Sequence, residues 1–126
     1  MFDRLDPRSP TPLYAQIAGT IRVAVAAGEL ESGQTLPSVR QLAMRLRVNP
    51  ATVVQAYRDL EAEGFVEMRQ GAGTFIKDVA DSRKSAELET QAAQMVRTML
   101  AEAARRGIDK GAIRGAFQTE MGELVP

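Results

Sequence analysis

Neither Cys nor His occurs among the 126 residues. That removes thiol nucleophiles, disulfides, imidazole bases and nearly all zinc chemistry together. Every Asp and Glu sits where an exposed face or a helix cap accounts for it, so no catalytic residue, metal site or cofactor is expected. What remains is hydrogen-bonding and cationic chemistry. Asn49, Ala51, Thr52, Gln55 and Arg58 fall opposite an apolar set of Val53, Ala56, Tyr57 and Leu60. Asn and Gln pair bidentately with adenine, and Ala or Thr methyl groups suit the thymine methyl in a major groove. Between Ser32 and Arg58 there is no acid, while Arg40, Arg45, Arg47 and Arg58 contribute four positive charges. Asp59, Glu61 and Glu63 follow at once. Net charge is zero, but a local excess of cations is the electrostatic footprint of a nucleic-acid surface.

Such side chains must be held by short, well-capped helices. Ser38 and Gln41 have capping-box spacing, in which each side chain satisfies a backbone donor of the opening turn. The helix they open faces Leu42, Ala43 and Leu46 inward. Arg47-Val48 reads as a tight turn. Asn49 then caps a further helix with Pro50 at its first position, and Val53, Ala56, Tyr57 and Leu60 follow the i, i+3, i+4, i+7 rule. Gly64 ends it. Two short, separately capped helices joined by a tight turn make a helix-turn-helix. The first turn of the second helix should also aim backbone N–H groups at phosphate.

Upstream, residues 1–10 read as an extended arm, and Thr11-Pro12 as an N-cap with proline at the first helical position. Leu13, Ile17, Ile21 and Val25 then recur every four residues up to Gly28. Residues 29–34 read as a loop. Downstream, Phe65–Arg69 and Thr74–Ile76 flank Gln70-Gly71-Ala72-Gly73, the pattern of a β-hairpin. A hairpin directly after a helix-turn-helix is a wing. Gly71 and Gly73 permit close backbone approach to a duplex, while Arg69, Gln70 and Thr74 offer contacts to phosphate or the minor groove. Arg40 is placed to lie on the DNA backbone or reach a guanine.

From Val79 the texture changes, and Asp81–Ser85 reads as a polar hinge between a domain of residues 1–78 and a tail of residues 79–126. Leu88, Ala92, Met95, Met99 and Ala103, widened by Val96 and Leu100, stripe a long helix up to Gly107. Asp109 caps a second helix carrying Ile113, Ala116 and Phe117, with Leu124 and Val125 continuing its apolar contacts. The fold class expected is mainly α with a small β-hairpin: a winged helix-turn-helix plus a two-helix dimerisation segment. Two helices cannot cover their own apolar stripes, since most helical stability comes from packing. A two-fold homodimer through Leu88, Met95, Val96, Met99, Leu100, Ile113 and Phe117 is expected to bury them, the alternative being a tail that packs on its own winged domain. The dimer also sets two reading helices about one DNA turn, roughly 34 Å, apart, which predicts a pseudo-palindromic operator.

Chain length and composition fit this plan: 44% hydrophobic and 25% charged residues are globular values. The N-terminus carries acids and prolines where a signal peptide needs an apolar run, and no stretch is long enough to span a membrane, so a cytoplasmic location is expected. The tail shows no cluster of polar residues converging on a pocket, although the six Met residues leave room for an adaptable apolar one. A small-molecule effector is therefore left open.

The serial order of motifs resembles the GntR family of bacterial regulators. The matching residues are Pro12-Leu13-Tyr14, Gln16-Ile17, Gly28-Glu29-Leu30, Gly33, Leu36-Pro37-Ser38, Arg40, Leu42-Ala43, Val48-Asn49, Thr52-Val53, Ala56-Tyr57, Leu60-Glu61, Glu63-Gly64 and Arg69-Gln70-Gly71 with Gly73-Thr74-Phe75. The resemblance implies a repressor whose DNA contacts fall on Arg40, on Asn49 with Thr52, and on Gln70 with Gly71. Where many members carry arginine this chain has Pro50 and Val54, so those two anchors do not carry over. Asn49–Tyr57 is similar to the YtrA subgroup, which implies a short dimerising helical tail and control of transporter operons. The alternative from a different class is a winged-helix protein-interaction module, which the zero net charge suits.

Overall fold

A computed structural model describes residues 1–2 and 5–122. In chain order its elements are α1 (Leu13–Ala26), β1 (Thr35–Leu36), α2 (Val39–Leu46), α3 (Pro50–Ala62), β2 (Val66–Arg69), β3 (Gly73–Ile76), α4 (Asp81–Arg105) and α5 (Lys110–Met121). They form two compact units, Met1–Leu88 and Glu89–Pro126.

The first unit is a winged helix-turn-helix built on the apolar stripes. Ile17, Ile21 and Val25 of α1 meet Leu42 and Ala43 of α2 and Val53, Ala56, Tyr57 and Leu60 of α3 in one buried cluster. Phe65, Val66 and Ile76 bring the sheet onto the same core. Fully burying an aliphatic side chain of this kind stabilises by about 1.5–3 kcal/mol. Arg47 ends α2 in a left-handed conformation, φ 57°, and its N–H returns to the α2 carbonyls. That left-handed residue sets the sharp turn into α3.

The wing is larger than a hairpin. β2 and β3 pair antiparallel from Val66 opposite Ile76 to Arg69 opposite Gly73, and β1 adds to the far side of β3, with Thr35 opposite Phe75 and Leu36 opposite Thr74. The sheet order is thus β1-β3-β2. Backbone bonds between Gly33 and Ile76 and between Ile76 and Gln34, each 2.8 Å, continue that edge. A two-residue strand has no periodicity to read, so its existence depends on the edge β3 offers.

Three local expectations are corrected. Pro12 occupies the N-cap itself, without a side-chain cap. The Thr11 N–H instead bonds the Ser9 hydroxyl. Nor is the described part of the N-terminal segment extended. The Gln16 amide accepts from the Asp6 N–H and donates to the Asp6 and Thr11 carbonyls, all at 2.8 Å, and folds the segment back on α1. Finally, Asp81–Ser85 is the opening of α4, not a hinge. Val79 is buried in the first unit's core, and the first unit runs on to Leu88. Polar residues there mark a solvated helical face. Arg83 stacks over the Phe65 ring at 4.6 Å, and Arg22 of α1 pairs with Glu63 at 3.5 Å and Glu87 at 3.9 Å.

The second unit contains the rest of α4 and all of α5. Gly107, φ 73°, follows the end of α4, and Asp109 caps α5 by accepting from the Ala112 N–H at 2.8 Å. Arg105 and Arg106 both bond Glu102; those two hydrogen bonds, Arg105 first, hold its carboxyl below the usual range. Ala103 alone is buried among the described residues of the two tail helices. Met95, Val96 and Phe117 are exposed, Met95 by 69%, and Met99, Leu100 and Ile113 are only partly covered. Leu88, at the end of the first unit, is exposed as well. Leu124 and Val125 lie outside the described residues.

Candidate nucleic-acid interface

Arg40 stands in the first turn of α2, exposed, immediately after the cap that fixes this turn. The Ser38 hydroxyl accepts from the Gln41 N–H at 3.1 Å, and the Gln41 side chain accepts from the Ser38 N–H at 3.0 Å. Leu42 and Ala43 anchor the opposite face of α2, which leaves Gln41, Met44 and Arg45 in solvent beside Arg40. The approach to α2 is held from below. Tyr57, buried in the α3 stripe, donates its phenol to the Pro37 carbonyl at 2.6 Å. Burial pushes that phenol up to about 12, with Arg45 acting weakly in the opposite direction. A buried tyrosine needs such a partner, so the pairing of Tyr57 with some acceptor was foreseeable, though not which one.

At the start of α3, Asn49, Pro50 and Ala51 are exposed and Thr52 is half-buried. The expectation of backbone donors here is not met. Pro50 has no N–H, the Ala51 N–H is taken by the Asn49 side-chain oxygen at 2.9 Å, and the Thr52 N–H bonds the Asn49 carbonyl at 2.9 Å. The polar capacity of this turn is therefore in side chains. Capping consumes the Asn49 oxygen and leaves its amide NH2 to donate. One turn later Gln55 and Arg58 are exposed, with Gln55 donating from its amide to Asp59 Oδ1 at 2.8 Å. Val54, half-buried, stands beside them.

The wing tip keeps four exposed residues, Gln70 to Gly73. Gly71 has φ 80°, which L side chains rarely adopt, so glycine is required by this turn. The Ala72 N–H bonds the Arg69 carbonyl at 3.0 Å. Two wing residues differ from expectation. Thr74 is only 8% exposed, because in this register it lies between Leu36 and Met68 and points into the core. It is corrected from a contact residue to a packing residue. Arg69 is exposed but occupied: its guanidinium lies 4.6 Å from the Phe75 ring centre and 3.2 Å from Glu67. Its hydrogen bond and charge hold the Glu67 carboxyl below the usual range.

Sequence reasoning overlooked two acids that act on this surface. Glu61 accepts the Met68 N–H at 2.9 Å and so ties the last turns of α3 to the wing. Asp59 holds Gln55, and its i, i+4 spacing was a legible signal for that pair. Together these features give a surface of exposed cations and amides on α2, α3 and a glycine-tipped turn. Its chemistry is that of phosphate positioning and base-edge hydrogen bonding.

Comparisons with known proteins agree with this geometry. The family model described as bacterial regulatory proteins, gntR family, matches residues 13–76. The transcriptional repressor YtrA of Bacillus subtilis is 35% identical over 106 residues, covering 84% of this chain and 82% of that protein. A GntR family transcriptional regulator from Listeria monocytogenes superposes with a TM-score of 0.68 at 30% identity, over 90% of this chain and 97% of its own. The DNA-binding domain of AraR, solved in complex with its operator ORX1, superposes with a TM-score of 0.52 at 30% identity. It covers 56% of this chain and 88% of its own.

Proposed function

The chain belongs to the GntR family of bacterial regulatory proteins, and from that premise we propose that it is a cytoplasmic, homodimeric repressor that binds a pseudo-palindromic operator near its own gene. It is a DNA-binding transcriptional regulator with a winged helix-turn-helix fold. The observation that carries the finer reading is the pairing of an arginine-bearing α2–α3 surface, free of acids from Ser32 to Arg58, with a tail whose apolar residues face solvent. The first gives the protein a way to hold DNA; the second gives a second copy something to bury. YtrA of Bacillus subtilis is named a repressor, which supports repression here. Among the described residues no helix is long and apolar enough to cross a membrane.

In this reading Arg40 and Arg58 hold phosphates and thereby fix register. Asn49, Ala51, Thr52 and Gln55 face base edges, with Pro50 shaping the turn, and Gln70 with Gly71 brings the wing against the backbone or minor groove. Arg69 joins them only by leaving Glu67. No enzymatic activity is assigned. A gel-shift on the DNA upstream of the protein's own gene tests the proposal. Discrete retardation that survives excess unrelated competitor DNA at physiological salt is the expected result. Smearing that vanishes with salt for every sequence alike would favour the protein-interaction module instead.

A further inference from the structure

We propose that Asp59 is a specificity-determining positioning residue, which biases the Gln55 amide toward adenine and against guanine. The inference rests on the reading that Gln55 faces a base edge. A glutamine amide carries two donors and one acceptor and is ambivalent in the major groove. Adenine shows an acceptor, N7, beside a donor, the N6 amino group, whereas guanine shows two adjacent acceptors, N7 and O6. A free glutamine rotates its amide to suit either base.

Gln55 is not free. Its Nε2 donates to Asp59 Oδ1 at 2.8 Å, one turn along the exposed side of α3. Asp59 itself is half-buried. Only the NH2 group can donate to a carboxylate, so this bond fixes which end of the amide is which. One N–H is spent on Asp59. What remains is one N–H beside the carbonyl oxygen Oε1, the complement of adenine's N7 and N6. Against guanine the same arrangement sets Oε1 toward an acceptor, and turning the amide to offer both donors means breaking a charge-assisted bond. The Asp59 charge adds a second bias, since a carboxylate near the groove repels guanine's acceptors.

The test selects duplexes from a randomised library with the wild-type protein, then measures binding to the set varied at the base pair that Gln55→Ala ceases to discriminate. Wild type is expected to prefer adenine there. Asp59→Ala should admit guanine, the adenine-to-guanine ratio falling about tenfold, within the range a bidentate contact supplies. Asp59→Ser, too short to hold the amide, provides a second version of the same loss. Asp59→Asn can donate to the Gln55 oxygen as readily as accept from its NH2, so it no longer fixes the amide; the ratio should fall there too, while every duplex binds more tightly. Equal gains on all duplexes for Asp59→Ala, with the ratio intact, would overturn the proposal, as would an unchanged ratio in Asp59→Asn. If Gln55→Ala changes no base preference at all, the reading of Gln55 itself fails and the role of Asp59 falls with it.

Discussion

An arginine on a phosphate and an amide on a base edge fail differently when removed. Arg40→Ala is expected to weaken binding to all DNA sequences alike and to reduce the slope of log affinity against log salt by about one, because one counterion release is lost. An unchanged slope with unchanged affinity would take Arg40 out of the interface. Tyr57 makes a different residue-level prediction. Its phenol, raised to about 12 by burial, stays neutral in the folded protein at pH values where the unfolded chain ionises near 10. A group whose folded value is raised keeps its full contribution below the unfolded value and loses it as pH rises. Stability should therefore fall between about pH 10 and 12, by about 2 kcal/mol, as read from urea melts. Tyr57→Phe should lack this component while losing about 1–3 kcal/mol at pH 7, because the Pro37 carbonyl is left unpaired. At this scale residue type was easy to read and occupation was not. Nothing in composition says that Arg69 is held by Glu67 and Phe75.

Element boundaries were legible where local chemistry sets them. The capping box at Ser38, the Asn49 cap with Pro50 behind it, and the α3 stripe all rest on contacts within a few residues, and each is present. Ser38→Ala should cost about 0.5–2 kcal/mol in a thermal melt, the usual size of a lost N-cap. A negligible change would mean that tertiary packing alone holds α2. Elements that depend on distant partners were less legible. β1 exists because β3 presents an unpaired edge, Thr74 turns inward because the register with Leu36 and Met68 fixes its face, and the opening of α4 is fastened by Arg83 on Phe65 and Arg22 on Glu87. Met68 apart, those partners lie between 18 and 65 residues away in sequence. At the wing tip, Gly71→Val forces a β-branched side chain into positive φ, at about 1–2 kcal/mol. It should reduce DNA affinity more than it lowers the melting temperature, because the tip is exposed and its backbone approaches the duplex. Equal affinity would remove the tip from the contact surface.

For the whole molecule, the zero net charge is misleading and the distribution is informative. Acids gather outside residues 32–58, so DNA sees a local cationic face on a protein that is neutral overall. The tail stripe was plain in sequence, but an apolar stripe states only that something must cover it. Met95→Glu together with Val96→Glu should convert a dimer to a monomer in sedimentation at micromolar concentration, with the first unit still folded by circular dichroism. A dimer that persists would place the self-contact elsewhere. The central claim, a pair of winged units reading two half-sites, is tested most directly by hydroxyl-radical footprinting on the selected operator, with stoichiometry measured alongside. Two chains per duplex and two protected patches related by two-fold symmetry, centred about 10 base pairs or one helical turn apart, are predicted. One chain bound to a single patch, or uniform protection without sequence preference, would contradict the account.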